Sequence, residues 1–298
     1  MYKRQDDNNT GNISITSTGT ISSNFAGAIF IAGPTSGDID VSGVDVSGGI
    51  RILTVPNSGG SPVSGGGNIT VTSTGAITEA RERNEDGIAI INDNINGDTT
   101  VNVVDLTASL TGIEIEHGTS GTGDINVTTT GSLTARSGGI DIDNNGTGGV
   151  TVNAVDVTST FFDGIFVELR FNSTGDANVT TTGNVTAGGT GIKIDNNGTG
   201  GATVTAVDVT STHDDDNGIY VDLGINSRSD ANVTTTGTVT AGGTGIKIEN
   251  NGTGGATVTA VDVISRSNDP EGLSEGIYVD LGVNSIGCLL YTSPSPRD

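Results

Sequence analysis

The sequence predicts an all-β fold: a right-handed parallel β-helix (solenoid) of about ten rungs, with roughly 27 residues in each rung. The first supporting observation is composition, because the 298 residues include 48 glycines and no tryptophan. The second is that valines and isoleucines alternate with Thr, Asp and Asn, a pattern typical of strands. The third is that one long segment recurs along the chain. Glycine and β-branched residues disfavour helix interiors, so a compact helical core is not expected.

The repeat is clearest in a segment of eleven residues. This segment reads GNISITSTGTI from Gly11, GNITVTSTGAI from Gly67, GDINVTTTGSL from Gly123, GDANVTTTGNV from Gly175 and SDANVTTTGTV from Ser229. Five double-rung repeats therefore begin near residues 11, 67, 123, 175 and 229, and they form a single solenoid over residues 11–287. A rung cannot bury its apolar face alone, so stacking on its neighbours creates one continuous core.

Each double rung contains the pattern Gly/Ala-Ile-x-Ile/Val twice, and each copy begins an expected strand. The first isoleucines of these patterns are Ile29, Ile50, Ile88, Ile113, Ile140, Ile165, Ile192, Ile219, Ile246 and Ile277. Within one rung, inward pairs at 177–179, 185–187 and 192–194 are separated by corners rich in Gly and Asn, which predicts three short strands per rung. The paired asparagines that begin at Asn144, Asn196 and Asn250 are expected to stack as a ladder and satisfy corner backbone groups.

The two ends of the chain do not match the repeat. Residues 1–10 are interpreted as a non-native-looking leader with a disordered start, and residues 288–298 as a non-native-looking tail. Both resemble translated adapter sequence, so neither is expected to belong to the solenoid. The only cysteine, Cys288, lies in the tail, so the repeats use neither a disulfide framework nor a thiolate metal site.

Aligning the Ile patterns brings outward-facing carboxylates into one column, named here the carboxylate ladder. Its members are Glu116, Asp143, Glu168, Asp195, Asp222, Glu249 and Asp280. Hard oxygen ligands suit Ca²⁺ or Mg²⁺, so one hypothesis is weak divalent-cation binding, with no cofactor expected other than weakly bound Ca²⁺. The alternatives are that the carboxylates only keep a long rod soluble, or that they meet a partner with a basic face. A sparser column, Asp45, Asp105, Asp156, Asp208 and Asp262, is expected to be solvated.

A second outward column, the aromatic–lysine column, lies two residues before the ladder. It contains Phe166, Lys193, Tyr220, Lys247 and Tyr278. Exposed rings along a groove can stack on sugars, so this column is a candidate glycan or partner face. The alternative is that the rings and lysines pack on one another through cation–π contacts.

Enzymatic and ice-binding functions are the alternatives to a binding rod. An enzyme acting on polysaccharides, a lyase or hydrolase, needs carboxylates and a basic residue set apart from the repeat. His213, in HDDDN at 213–217, is the best candidate and His117 the other, but no catalytic residue is assigned. Ice binding needs regular outward threonines; Thr180, Thr182, Thr203 and Thr205 are candidates, although varying rung lengths and interrupting aspartates predict an irregular face.

Charge and hydropathy exclude two kinds of partner. The formal charge of −23 would repel nucleic acid and anionic membranes. No segment approaches the ~20 apolar residues that cross a bilayer as a helix, so membrane insertion of this segment is not expected.

The repeats resemble passenger domains of bacterial autotransporters, the type V secreted proteins, and adhesin-like parallel β-helices. The resemblance is carried by patterns such as GDANVTTTG at 175–183 and GIKIDNNGTG at 191–200. It implies that the protein is extracellular, displayed on the bacterial cell surface, and that its role is structural or adhesive. The implied partners are a host or environmental surface, bound through a glycan or protein ligand, and the protein's own translocator barrel outside this segment. It assigns no catalytic residue.

Overall fold

The computed structural model describes residues 2–4, 11–23, 27–33, 37–54, 66–79, 85–93, 96–119, 121–266, 275–283 and 285–292. These residues form strands, turns and corners, and no helix occurs among them. In chain order the strands are β1 Tyr2–Arg4, β2 Ile13–Thr16, β3 Ile21–Ser22, β4 Ile29–Ala32, β5 Ile39–Gly43, β6 Val46–Ser47, β7 Ile50–Leu53, β8 Ile69–Ser73, β9 Ala76–Thr78, β10 Ile88–Asn92, β11 Thr99–Val103, β12 Asp105–Ala108, β13 Ile113–His117, β14 Ile125–Thr129, β15 Ser132–Ala135, β16 Ile140–Asn144, β17 Val150–Ala154, β18 Asp156–Ser159, β19 Ile165–Leu169, β20 Ala177–Thr181, β21 Asn184–Ala187, β22 Ile192–Asn196, β23 Ala202–Ala206, β24 Asp208–Ser211, β25 Ile219–Leu223, β26 Ala231–Thr235, β27 Thr238–Ala241, β28 Ile246–Asn250, β29 Ala256–Thr259, β30 Asp262–Ser265, β31 Ile277–Leu281 and β32 Leu289–Thr292.

Every third strand belongs to the same sheet, which makes the chain a solenoid. Sheet one runs from β1 to β31, sheet two from β2 to β32 and sheet three from β3 to β30, and neighbouring strands pair in parallel. The turns contain roughly 27 residues each, and there are about nine of them. This confirms the predicted parallel β-solenoid, and the ten predicted isoleucines each begin a strand of sheet one. The strands β1 and β32 lie in the two terminal segments that do not match the repeat.

The core is one continuous file of inward side chains. Sheet one buries isoleucine pairs such as Ile192 and Ile194, sheet two buries Ala202 and Val204, and sheet three buries Val209. The buried cluster extends without a break from Ile13 to Ala260. Because each residue stacks on its equivalent in the next turn, the side chains between these inward positions form outward columns.

Aspartates at the start of sheet three hold one corner together. The Oδ1 atoms of Asp105, Asp156 and Asp208 accept backbone N–H groups of the next turn at 2.8, 2.8 and 2.6 Å. A glycine precedes each donor, as at Gly183, where an added Cβ would lie 2.4 Å from Asp156 Oδ1. The prediction that this aspartate column is only solvated therefore missed its role as acceptor for the N–H groups of the corner.

Asparagines form hydrogen bonds with the backbone groups of a second corner, but they do not stack on one another as a ladder. Asn196 is fully buried; its Nδ2 donates to Gly201 O at 3.0 Å, and its Oδ1 accepts Gly198 N–H at 3.0 Å. Equivalent bonds are made by Asn144 and Asn250. In the sheet these residues alternate with leucines, so that Asn196 stacks on Leu223. The predicted satisfaction of corner groups is confirmed, whereas the predicted stack of asparagines was wrong.

Candidate binding faces

The outward face of sheet one carries both columns that the sequence predicted. The seven members of the carboxylate ladder follow one another in register from β13 to β31. The aromatic–lysine column runs beside it from β19 to β31, two residues earlier in each strand. The structure therefore brings together all the residues that the repeat alignment placed in these two columns.

Basic side chains neutralise part of the carboxylate ladder. Arg170 Nη2 lies 3.0 Å from Asp143 Oδ2 and 3.1 Å from Glu168 Oε2. Lys193 Nζ lies 3.0 Å from Asp195 Oδ2, and Lys247 Nζ lies 3.2 Å from Glu249 Oε1. Adjacent carboxylates ~5 Å apart would repel by about 3 kcal/mol at an effective dielectric of 20, so these cations relieve a real cost.

Asp222 forms no ion pair with the described residues, and its two neighbours in the ladder, Asp195 and Glu249, are also acidic. Burial raises its pKa, and the charges of Asp195 and Glu249 raise it further. The hydroxyl of Tyr220 donates to Glu249 Oε2 at 2.5 Å, and burial followed by this bond raises the pKa of Tyr220. The neutral phenol therefore acts as a hydrogen-bond donor within the ladder.

The lysines of the aromatic–lysine column lie over its rings. Lys193 Nζ is 4.6 Å from the centre of the Phe166 ring, and Lys247 Nζ is 4.8 Å from that of Tyr220 and 5.9 Å from that of Tyr278. The mutual cation–π packing considered as an alternative is therefore present. All three rings remain partly exposed, so an external ligand can still reach them.

No group of three or more His, Cys, Asp or Glu side chains in the described part of the chain is placed to hold a metal ion. Weak divalent-cation binding by the ladder stays a prediction. Its simplest form is an ion shared between neighbouring carboxylates together with water.

A cavity that the sequence analysis missed lies beside the start of the aromatic–lysine column. Its volume is about 330 Å³, and its walls include Thr111, Ser137, Asp141, Phe162, Asp163 and Phe166. Phe162 is 64% exposed, so one wall is an accessible aromatic ring. The sequence could have indicated this site, because Glu114 and Asp141 occupy the two positions that precede Phe166 in the aromatic–lysine column.

Carboxyl groups in and beside this cavity have raised pKa values. Burial, followed by a hydrogen bond and the charge of Asp86, raises the pKa of Glu114 to about 7. Burial and the charge of Asp163 raise the pKa of Asp141 to about 6. Burial also raises the pKa of Asp163, whose Oδ1 accepts the Thr190 N–H at 2.8 Å. Perturbed carboxyl groups in a cleft are typical of functional sites.

The two histidines have different surroundings. His213 is exposed, and its Nδ1 lies 3.2 Å from Asp216 Oδ2 within the same loop. His117 is buried at the end of β13, where its Nε2 shares a 2.7 Å hydrogen bond with Thr99 Oγ1. Burial lowers the pKa of His117 to about 4, so its imidazole is neutral near neutral pH.

The outward face of sheet two is more regular than the sequence suggested. Thr180 stacks on Thr205, and Thr203 lies beside Thr205 in β23. Thr182 lies one residue beyond β20, outside the strands that form this face. Varying rung lengths do not disturb the register, because the extra residues lie between strands. One aspartate, Asp40 in β5, lies in line with Thr70 and ends the uncharged run. Four others, Asp98, Asp124, Asp176 and Asp230, lie at the edge of the sheet, where their carboxylates accept backbone N–H groups.

This surface, the threonine–asparagine face, consists of two columns of outward residues in β8 to β29. One column is Thr70, Thr100, Asn126, Thr151, Asn178, Thr203, Asn232 and Thr257, and the other is Thr72, Asn102, Thr128, Asn153, Thr180, Thr205, Thr234 and Thr259. Every position in both columns is a threonine or an asparagine.

Comparison with known proteins finds no matching family model, no matching curated protein and no matching solved structure. The described residues contain no helix long and apolar enough to cross a membrane.

Proposed function

We propose that this chain belongs to a secreted repeat protein displayed at a bacterial cell surface, where it acts as a structural and adhesive rod. The supporting observation is that outward residues repeat in register on successive turns of the solenoid. A surface built in this way offers one weak contact per turn, and several contacts together give high avidity. The resemblance to autotransporter passenger domains supports the same function.

The adhesive surface is the outward face of sheet one, and its ligand is a neutral glycan. Phe166, Tyr220 and Tyr278 provide partly exposed rings, which suit the apolar faces of sugars. The carboxylate ladder has seven carboxylates, and three basic side chains, Arg170, Lys193 and Lys247, pair with it. This leaves an excess of four negative charges. This excess disfavours polyanionic sugars such as pectin or alginate, since like charges oppose association.

A glycan array tests this proposal with the full chain and a variant lacking the rings. The labelled wild-type chain should bind a subset of neutral glycans, and Phe166→Ala/Tyr220→Ala/Tyr278→Ala should lose that binding. The control is Phe171→Ala, which removes an aromatic ring that is 73% exposed at another corner and should leave binding unchanged. Equal binding by the triple variant, or no binding of any glycan by the wild type, would contradict the proposal.

The cavity beside Phe166 supports a second candidate, a polysaccharide hydrolase. Glu114 and Asp141 are register partners on adjacent strands, and glycoside hydrolysis requires one protonated and one ionised carboxyl group. In this scheme the protonated Glu114 donates its proton to the leaving oxygen as the glycosidic bond breaks. Register partners lie about 5 Å apart, the spacing of a retaining reaction, so Asp141 bonds to the anomeric carbon as the glycosidic bond breaks. A water that gives its proton to Glu114 then displaces Asp141 and releases the sugar, while Phe162 supports the ring.

Reducing-end release from neutral polysaccharides measures this activity directly. The wild-type chain should produce new reducing ends, and Asp141→Asn should abolish their release. His213→Ala should retain activity, because His213 contacts Asp216 in an exposed loop. Loss of turnover in His213→Ala, with retention in Asp141→Asn, would move the site to that loop.

A further inference from the structure

The threonine–asparagine face carries no charged side chain from β8 to β29, although the chain as a whole has a formal charge of −23. Asp40 is exposed and stacks on Thr70, so a negative charge lies at the β5 end of one column, beyond the face. The aspartates along the edge of the face have backbone partners. The Oδ1 atoms of Asp124, Asp176 and Asp230 accept the N–H groups of Gly149, Gly201 and Gly255 at 2.8, 2.7 and 2.7 Å. A ligand that matches this face is therefore electrically neutral.

The face also lacks the side chains that usually bind sugars or proteins. Its sixteen positions comprise eleven threonines and five asparagines, with no aromatic ring and no arginine. Glycans depend on aromatic stacking, and protein interfaces depend on Trp, Tyr and Arg anchors. Such a surface offers an external ligand only small hydroxyl, methyl and amide groups.

The spacing of these groups is periodic in two directions. Along each column the residues repeat at ~4.8 Å, and the two columns are about 6.6 Å apart, because they lie two residues apart along each strand. Eight strands contribute, so the columns are about 34 Å long. Threonine is stiff at χ1, which keeps hydroxyl and methyl groups in fixed positions. The matching ligand is therefore itself a rigid lattice with repeats of similar size.

We propose that the threonine–asparagine face binds the surface of ice. Ice is a neutral, rigid lattice of water oxygens that both donate and accept hydrogen bonds, as threonine hydroxyls and asparagine amides do. Its oxygens repeat at fixed spacings in two directions, as the polar groups of the face do. Hydroxyl groups hold water at lattice positions, and the methyl groups between them restrict where other waters can lie. This activity uses a different sheet from the proposed glycan site.

Thermal hysteresis and ice recrystallisation measure the activity on the purified full chain. The wild type should separate freezing from melting and should keep small ice grains from growing. Thr203→Tyr/Thr205→Tyr inserts two bulky rings into the centre of the face and should weaken both effects at least about tenfold, a change of about 1.4 kcal/mol in binding. The control Thr158→Tyr places the same ring at an exposed position of sheet three and should leave both effects intact.

A second variant guards against a folding artefact. Thr100→Tyr alters the face in β11, four strands away from β23 within sheet two, and should also reduce adsorption of the labelled chain to a growing ice surface. Circular dichroism and the melting temperature show whether each variant is folded. The proposal is overturned if the wild type neither adsorbs to ice nor inhibits recrystallisation, or if folded face variants and the Thr158→Tyr control behave alike.

Discussion

At the residue scale, a buried polar group stabilises or destabilises the solenoid according to whether it has a hydrogen-bond partner. Asn92 Nδ2 donates to Thr99 Oγ1 at 3.2 Å, and the same Thr99 oxygen bonds to His117. Thr181 is equally buried, but its Oγ1 has no hydrogen-bond partner among the described residues. A buried hydroxyl without a partner costs free energy, whereas a bonded one contributes to stability.

Replacing the two threonines by valine should therefore have opposite effects on stability. Thr181→Val removes the unpaired hydroxyl while keeping the shape, and should stabilise the fold by about 1 kcal/mol. Thr99→Val removes a bonded hydroxyl next to His117, and should destabilise it by about 1 to 3 kcal/mol. Chemical denaturation of both variants measures the difference. Destabilisation by Thr181→Val would show that this hydroxyl has a partner after all.

His117 should make stability depend on pH. Its pKa is about 4 in the folded chain and 6.5 as the ordinary value, so the unfolded chain binds the proton more readily. The contribution is fully present above pH 6.5 and is lost as pH falls towards 4, by about 3 kcal/mol in total. Glu114 and Asp141 act in the opposite sense, because their raised pKa values favour the folded chain at low pH.

The measurement is the pH dependence of the unfolding free energy in wild type and His117→Asn. Asparagine is the residue above and below His117 in its column, at Asn92 and Asn144, which makes it a suitable replacement. The difference between the two curves should change between pH 6.5 and 4 and stay constant above that range. A constant difference at all pH values would rule out titration of His117 as the cause.

At the scale of the element, alternation within each strand explains why sheet one has a buried and a charged side. In β22 the inward Ile192 and Ile194 are fully buried, while Lys193 and Asp195 lie outward and form an ion pair. The repeat made this alternation predictable, and with it the register of both columns. The bonds of the corner aspartates were not predictable, because they join residues of successive turns that only the fold places together.

The carboxylate ladder should respond differently to two matched substitutions. Asp222→Asn removes a charge that has no ion pair among the described residues and whose pKa is raised, so the melting temperature should increase. Asp195→Asn removes the partner of Lys193, so the melting temperature should stay constant or fall. The gain from Asp222→Asn should shrink at high salt, because screening weakens the repulsion that it relieves. An equal response of both variants would contradict this account of the ladder.

At the scale of the whole molecule, the chain has far more acidic than basic residues, with a formal charge of −23. Self-repulsion of this size destabilises a compact chain, and any salt should raise its melting temperature by screening. Divalent-cation binding predicts more than screening, because an ion that binds only the folded chain stabilises it by mass action.

The comparison of CaCl₂ with NaCl at equal ionic strength therefore tests the cation hypothesis. If the ladder binds Ca²⁺, the melting temperature should rise further in CaCl₂, and calorimetry should detect heat of binding. Glu116→Gln/Asp222→Gln, which neutralises two ladder positions without described ion pairs, should reduce the additional rise. Equal melting temperatures in the two salts, without measurable heat, would reject the hypothesis.

The sequence by itself determined the solenoid, because near-identical peptides, GIDIDNNGTGG at 139–149, GIKIDNNGTGG at 191–201 and GIKIENNGTGG at 245–255, can bury their isoleucines only by stacking on one another. It also determined which outward residues form columns, since parallel in-register pairing follows from the repeat. Only the tertiary structure decided which contacts the side chains make with residues of neighbouring turns. Lys193 lies over the Phe166 ring, the carboxylate of Asp156 bonds to a backbone N–H, and Glu114 gains a raised pKa near Asp86. These contacts depend on corner geometry and on neighbours from other turns, which the order of residues within a single repeat does not contain.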